Sequence, residues 1–289
     1  MERRDLKSLL IKPSGRSSDY IAPSFATGCI LECLYCYMKR NTPKGVTFYN
    51  NVDEILLAID KHSKALKNLG LNDKPNQTDE KYITYDISCN EDFALHLPNH
   101  EWEKIFTFFK QHRVAKATLA TKIIPKKLLS FNPKGKVRIR FSLMPQRLSD
   151  ILEPKSALIV ERIKAINTFI EAGYDVHINF SPVVLYNGWE FDYAGLFRLV
   201  NIIVEDKYKD RVKAEVIFLT HNTEKHFTNL TIDAKAEQLL YVPHLQEEKV
   251  SQYGGVNLRY KSHIKQIEIE KFKELHDSII KWNTIRYIF

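Results

Sequence analysis

Three of the four cysteines fall within the run Cys29-Ile-Leu-Glu-Cys33-Leu-Tyr-Cys36-Tyr37, and the fourth, Cys89, stands far from them. A c-type haem site would need histidine directly after the last cysteine, where this chain has Tyr37. Structural zinc usually takes four ligands, commonly as two separated Cys-x2-Cys pairs. Zinc therefore fits only if Cys89 or a histidine completes the set. A thioredoxin-type pair of Cys33 and Cys36 leaves Cys29 without a role. An iron–sulfur cubane is the better match: three thiolates in a tight loop hold three irons and leave the fourth open to a small molecule.

The flanking segments say what must position this loop. Residues 82–88, 117–121, 136–143, 175–180 and 214–219 are rich in β-branched and aromatic residues, as strands prefer. Amphipathic stretches lie between them. The stretch 53–69 carries Ile55, Leu56, Ile59, Leu66 and Leu69, opens on the capping pattern Asn51-x-x-Glu54 and stops at Gly70. The stretch 156–172 repeats the plan, with Leu158, Ile159, Ile163, Ile166 and Ile170 inward and Gly173 as the stop. Strand followed by helix, repeated, means parallel strands joined by right-handed crossovers. With a first strand at 20–26, about six such units result. The expected fold is α/β: an open, partial (β/α)6 barrel resembling a TIM barrel that lacks two units, with a C-terminal hairpin and helix extension. Its site belongs at the C-terminal ends of the strands. The cysteine loop follows the first strand and Cys89 follows the second. Residues 1–235 are expected to form the barrel and 236–289 the extension, with a hairpin around Gly254-Gly255 and a last helix over 267–282.

A chain of 289 residues with 44% hydrophobic and 27% charged residues has the composition of an ordinary globular protein. No run approaches ~18 consecutive apolar residues, so no membrane span is expected. The opening residues carry no apolar core before a small-residue cleavage site, so no secretory signal is expected. Clustered thiols without an export signal point to a reducing compartment, the cytoplasm. The formal charge of +8 is compatible with a polyanionic partner, but charge alone favours a solvated lysine-rich surface, because a basic footprint counts when it is clustered on one face.

Cys-x3-Cys-x2-Cys with an aromatic residue before the last cysteine resembles the signature of the radical S-adenosylmethionine (SAM) superfamily. The resemblance extends further. Ala26-Thr-Gly-Cys-x3-Cys-x-Tyr-Cys-Tyr37 and Tyr49-Asn-Asn-Val-Asp-Glu-Ile-Leu56 look like the spore photoproduct lyase family. So do Ser88-Cys-Asn-Glu-Asp92, Leu119-Ala-Thr-Lys122, Lys136-Val-Arg-Ile-Arg-Phe-Ser142, and Ala172-Gly-Tyr174 followed by Gly188-Trp-Glu190. These islands keep the family's order from about residue 20 to 200.

The resemblance implies a [4Fe-4S] cluster on Cys29, Cys33 and Cys36, and SAM chelated at the open iron. One electron passed into the sulfonium gives methionine and a 5′-deoxyadenosyl radical. In the family that radical opens the methylene bridge of a thymine dimer adduct in DNA, and a protein thiol returns a hydrogen atom. Cys89 stands where the family places its donor; a small buried hydrophobe is the alternative. Tyr37 matches the family's relay tyrosine, and Tyr35 either assists it or shields the cluster. Lys122 and Ser142, at the ends of the third and fourth strands, match SAM-holding positions. Glu91 departs from the family's serine, and its carboxylate could grip the amino group of SAM. Asp92 reads as a solvated loop charge. Arg259, Tyr260 and Lys261 could form the hairpin that contacts damaged duplex DNA, or a plain surface hairpin. His221 and His226 read as polar loop residues. Implied partners are DNA and an electron donor such as flavodoxin or ferredoxin, with no membrane. Two other readings stay open: a relative acting on another nucleic acid or a peptide, and a metal-stabilised nucleic-acid-binding module without turnover.

Overall fold

The computed structural model describes residues 2–4, 9–14, 16–36, 38, 45–69, 78–250 and 254–289. The strands are β1 (Lys12–Pro13), β2 (Tyr20–Ile21), β3 (Ala26–Thr27), β4 (Thr47–Phe48), β5 (Ile83–Asp86), β6 (Ala115–Thr121), β7 (Val137–Leu143), β8 (Asp175–Val183), β9 (Lys213–Phe218), β10 (Thr220–His221), β11 (Gln246–Val250), β12 (Val256–Tyr260) and β13 (Thr284–Ile288). An eight-stranded sheet runs in the order β1-β2-β5-β6-β7-β8-β9-β13. β2 pairs with β5, β5 with β6, β6 with β7, and β8 with β9, all parallel. The six strands from β2 to β9 are those expected from the alternating pattern, and the sheet stays open because β1 and β13 end it.

By contacts the chain divides into two compact units. The first comprises residues 1–29, 44–141 and 165–177, and the second residues 30–43, 142–164 and 178–289.

Four local expectations need correction. The first strand does not run from 20 to 26: β2 stops before Pro23, which has no N–H for a ladder, and β3 pairs instead with β4 in a separate antiparallel ribbon. The helix expected over 156–172 spans Ile159–Glu171, and Leu158, just outside it, is exposed. The last helix starts earlier than expected, at Ser262, and ends at Ile279. After it comes a strand that the sequence pattern does not announce, β13, which adds to β9 in parallel.

Alternation along the strands sorts the side chains of the first unit. In β7, Val137, Ile139 and Phe141 take one face, and Arg138 and Arg140 the other, with all five buried. The apolar face meets helices through aromatic contacts, such as Phe141 on Phe169 and Phe169 on Tyr174, both at 5.4 Å between centroids. Buried arginines need partners, because an unpaired charge in the interior is very costly. Arg138 bonds Asp175 at 2.7 Å and Asp79 at 3.1 Å. Lys116, on β6, bonds the same two carboxylates at 2.6 and 2.7 Å. Arg140 bonds Asp86 at 2.7 Å. The polar stripe on β5 to β8 is thus answered by ion pairs, with Asp79 supplied from the segment before β5.

Burial works to raise the Asp175 carboxyl, but Arg138, His177 and Lys116 outweigh it and hold it well below the ordinary aspartate range. Its contribution to stability is therefore complete above the unfolded aspartate pKa of ~4 and disappears as pH falls through the lower folded value. Asp175→Asn is expected to lower the urea midpoint at pH 7 and to flatten its decline below about pH 4. An unchanged acid slope in that variant would remove Asp175 from the network's titrating members.

Candidate active site

In the first unit the loop Ser88–Asp92 is held from both sides. Ser88 Oγ donates to the Glu91 carbonyl at 2.9 Å and accepts from the Phe93 N–H at 3.1 Å, closing the loop on itself. Asp92 is buried and accepts from Thr121 Oγ1 at 2.9 Å and from the Lys122 N–H at 3.0 Å. It is not the solvated charge expected from sequence. Burial raises its carboxyl above the ordinary value, even though those donors oppose the shift. Asp92 thereby fixes the end of β6, where Lys122 emerges half-buried.

Glu91 also differs from its expected role. Its Oε1 accepts the Ala26 N–H at 2.7 Å, and its Oε2 lies 3.1 Å from His96 Nδ1 and 2.7 Å from His100 Nε2. The side chain is 0% exposed. Burial raises its pKa, yet the hydrogen bonds from His100 and His96 prevail and hold the carboxylate below its ordinary value. With both oxygens engaged in this way, it acts as a clamp between the loop and β3 and not as a grip for the amino group of a ligand.

That clamp bears on the cysteines. The Gly28 N–H donates to the Asn90 carbonyl at 2.9 Å, so the residue before Cys29 is tied to the residue after Cys89. Gly28 has φ +114°, and a Cβ there would sit 2.8 Å from the Gly45 oxygen. Only glycine fits both the conformation and the space. Cys29 and Cys89 are half-buried, and the described cysteines form no disulfide.

In the second unit the segment Cys33–Cys36 is a tight turn, with the Cys36 N–H on the Cys33 carbonyl at 3.0 Å. Glu32 enters it at φ +58°, reversing the chain before the buried Cys33. The Leu34 N–H bonds the Leu152 carbonyl at 3.0 Å. Tyr35 is half-buried, but its hydroxyl sits deep and donates to Glu153 Oε1. Burial, then the Glu153 charge, push that phenol well above its ordinary range. Tyr35 therefore has its hydroxyl engaged by Glu153, an arrangement closer to the second of its two expected places, packing beside the cysteine turn, than to the relay. Tyr37 lies outside the described residues.

Glu153 is paired with Arg162 at 2.8 Å, both side chains 0% exposed. The same guanidinium donates to the Ser142 carbonyl and to the Ala157 carbonyl, each at 2.8 Å. One buried ion pair thus joins the end of β7 to the cysteine turn. Ser142 Oγ lies 3.4 Å from Asn179 Nδ2. Asn179 is buried, and its Oδ1 has no hydrogen-bond partner among the described residues. A buried amide oxygen without a donor is rare and suits a ligand donor. Sequence reading passes over Asn179, although Asp175-x-His177-x-Asn179 continues the polar stripe that would mark it.

The hairpin is present as β11 and β12, with Val250 opposite Val256. Tyr260 is 1% exposed, and its hydroxyl accepts the Leu185 N–H, so the ring is not available to stack on a base, contrary to expectation. Arg259 lies opposite Glu247 across the ladder, with its guanidinium 5.3 Å from the Phe289 ring centroid. The Lys261 N–H bonds the Leu245 carbonyl at 2.9 Å.

A family model for spore photoproduct lyase matches residues 4–288. The chain belongs to the spore photoproduct lyase family. Among curated members it is 28% identical over 216 residues to spore photoproduct lyase of Bacillus subtilis (strain 168), covering 73% of this chain and 59% of that protein. With the enzyme of Geobacillus sp. (strain Y412MC61) the identity is 26% over 68% of this chain and 54% of the relative. The chain thus spans a little over half the length of these relatives. A solved spore photoproduct lyase mutant with bound AdoMet and dinucleoside spore photoproduct superposes with TM-score 0.86 at 19% identity, over 98% of this chain and 81% of that one. The radical SAM-type family fold is therefore present in this chain. No helix among the described residues is long and apolar enough to cross a membrane.

The clamp makes a prediction. Glu91→Ala leaves three donors unpaired and is expected to destabilise the fold by roughly 3 kcal/mol in urea titration. A folded Glu91→Gln variant should bind SAM as the parent does by equilibrium dialysis. Absent SAM binding in that folded variant would return the carboxylate to the ligand site.

Proposed function

We propose that this chain is a radical SAM enzyme that reverses a thymine dimer adduct in DNA. The observation that carries the reading is the tie between Gly28 and Asn90, which anchors the start of the three-thiol loop beside the loop of a separate thiol, Cys89. The donor set supports a [4Fe-4S] cluster, because Cys29, Cys33 and Cys36 offer three thiols on a short loop and leave one coordination site for a ligand. The orphaned Asn179 Oδ1 beside Ser142 supports a polar ligand such as SAM. Ser142 would hold its ribose oxygens, with Asn179 accepting a further donor; a part for Lys122 at its carboxylate rests on the family resemblance. When bound, the cluster supplies the single electron that turns SAM into a hydrogen-abstracting radical.

The chain's own residues do the rest. Glu91 and Asp92 tie the loop after Cys89 to β3 and to the end of β6, so that its thiol would meet the product radical at a set place. A thiol S–H is weak enough to give its hydrogen atom to a carbon radical. Committing the Tyr35 hydroxyl to Glu153 removes one O–H that could quench the radical early. The setting is the cytoplasm, the partner damaged duplex DNA, and the reductant a small electron-transfer protein such as flavodoxin or ferredoxin. A second reading, a family relative with another substrate, is favoured by one observation: Glu247 and Glu248 sit on the strand facing Arg259, which tempers a phosphate-binding hairpin.

The test uses anaerobically reconstituted protein with dithionite, SAM and ultraviolet-irradiated dry thymine-rich DNA, following 5′-deoxyadenosine and restored thymine together. Both products are expected. 5′-Deoxyadenosine without restored thymine would favour the second reading, and the absence of both products would remove the radical SAM assignment. Cys29→Ala, Cys33→Ala or Cys36→Ala should each abolish both products. Cys89→Ala should keep SAM cleavage and divert the substrate radical to side products, and an unchanged product distribution would return Cys89 to the core.

Reversing charge at Arg259 and Lys261 should weaken DNA binding and reduce its salt slope by about one for each phosphate no longer neutralised. Unchanged binding would move the DNA interface off this hairpin.

A further inference from the structure

A second buried polar cluster lies in the second unit, on the helices Thr223–Ile232 and Ala234–Leu240 and the strand before them. Glu237 is 1% exposed. Its Oε1 lies 2.7 Å from His221 Nε2 and 2.8 Å from His226 Nδ1, and its Oε2 accepts from Asn229 Nδ2 at 2.7 Å. The two imidazoles and the carboxylate could suggest a metal site. Against it, the ring nitrogens approach Glu237 at hydrogen-bond distance, and the positive charge of Lys225 acts on His221 in the same cluster. A cation placed there would face both costs.

What the cluster touches is more telling. Asn229 Nδ2 also donates to the Leu34 carbonyl at 2.9 Å, and Lys225 Nζ donates to the Tyr35 carbonyl at 2.9 Å and the Thr220 carbonyl at 3.3 Å. Leu34 and Tyr35 are the two residues between Cys33 and Cys36. An amide nitrogen has two N–H groups, and here one meets Leu34 and the other Glu237. Both neighbours are acceptors, so the nitrogen must face them, and Glu237 dictates which way the amide points. Buried carbonyls must find donors, and the turn between the two cysteines draws these from side chains of another element.

We propose that Lys225, Asn229 and Glu237 are positioning residues that seat the turn between Cys33 and Cys36. This inference rests on the reading that the loop holds an iron–sulfur cluster. The seat keeps both thiols turned to one ligand. It also places the ammonium of Lys225 on the loop backbone, where positive charge favours the more reduced, more negative state of a bound cluster. None of the three touches substrate or reacting atoms; each acts through the peptide it holds.

The experiment has two readouts. In metal-free protein, iodoacetamide labelling of each cysteine is followed by mass spectrometry. Asn229→Leu and Lys225→Met should each speed labelling of Cys33 by roughly three- to tenfold, the worth of one hydrogen bond, with Cys89 unchanged. After anaerobic reconstitution, Lys225→Met should retain iron but show a more negative reduction potential, and Lys225→Arg should restore the parent value. Cys33 labelling at the parent rate in both variants, or equal acceleration at Cys89, would overturn the proposal, as would a potential indifferent to Lys225→Met. Parent protein that takes up no iron would instead overturn the cluster reading, while the labelling result would still decide the seat.

Discussion

The site depends on one buried ion pair. Arg162 and Glu153 are both wholly removed from water, and taking two such charges out of solvent costs several kcal/mol per ion unless every donor and acceptor is answered. Here the guanidinium reaches the Ser142 and Ala157 carbonyls, and the carboxylate receives Arg162, Tyr35 and Ser149. Because neither charge can be left unpaired, the end of β7 and the turn holding Cys33 and Cys36 must keep a fixed relation. A cysteine loop with no regular structure has its geometry imposed from outside in this way.

The same logic governs the first unit. Glu91 and Asp92 are adjacent carboxylates in one loop, and each is spent on a different neighbour: Glu91 on β3 and two histidines, Asp92 on the end of β6. Their pKa values move in opposite directions because Glu91 has two imidazole partners, while burial dominates at Asp92. Neither group is part of the proposed chemistry. They hold the loop after Cys89 and the start of the cysteine loop, and in the proposed reaction that would let the hydrogen atom return to one carbon.

The thiols, the six parallel strands and the hairpin are legible in the sequence because each has a short-range signature: cysteine spacing, alternating β-branched runs, and a Gly-Gly turn. Burial is not legible for single charged residues. Asp92 looks like a loop charge and Glu91 like a ligand grip until the neighbours that engage them are in place. Tyr260 looks like a stacking residue until its hydroxyl is found on the Leu185 N–H. Arg162 does carry a signal: it stands three residues after Ile159 and one before Ile163, on the apolar face of its helix, where a charge must be paired. β13 gives too little, since Thr284–Ile288 is a short run with a charge at its centre and is a strand only because β9 offers it an edge.

The claim at the centre of this account is that the three-thiol loop carries a cluster with one iron open to SAM. The most direct measurement is electron paramagnetic resonance of the anaerobically reconstituted, dithionite-reduced protein, recorded with and without SAM alongside its iron content. The account predicts about four irons per chain and a reduced-cluster signal that changes shape when SAM is added. A protein that retains no iron, or a signal indifferent to saturating SAM, would contradict it.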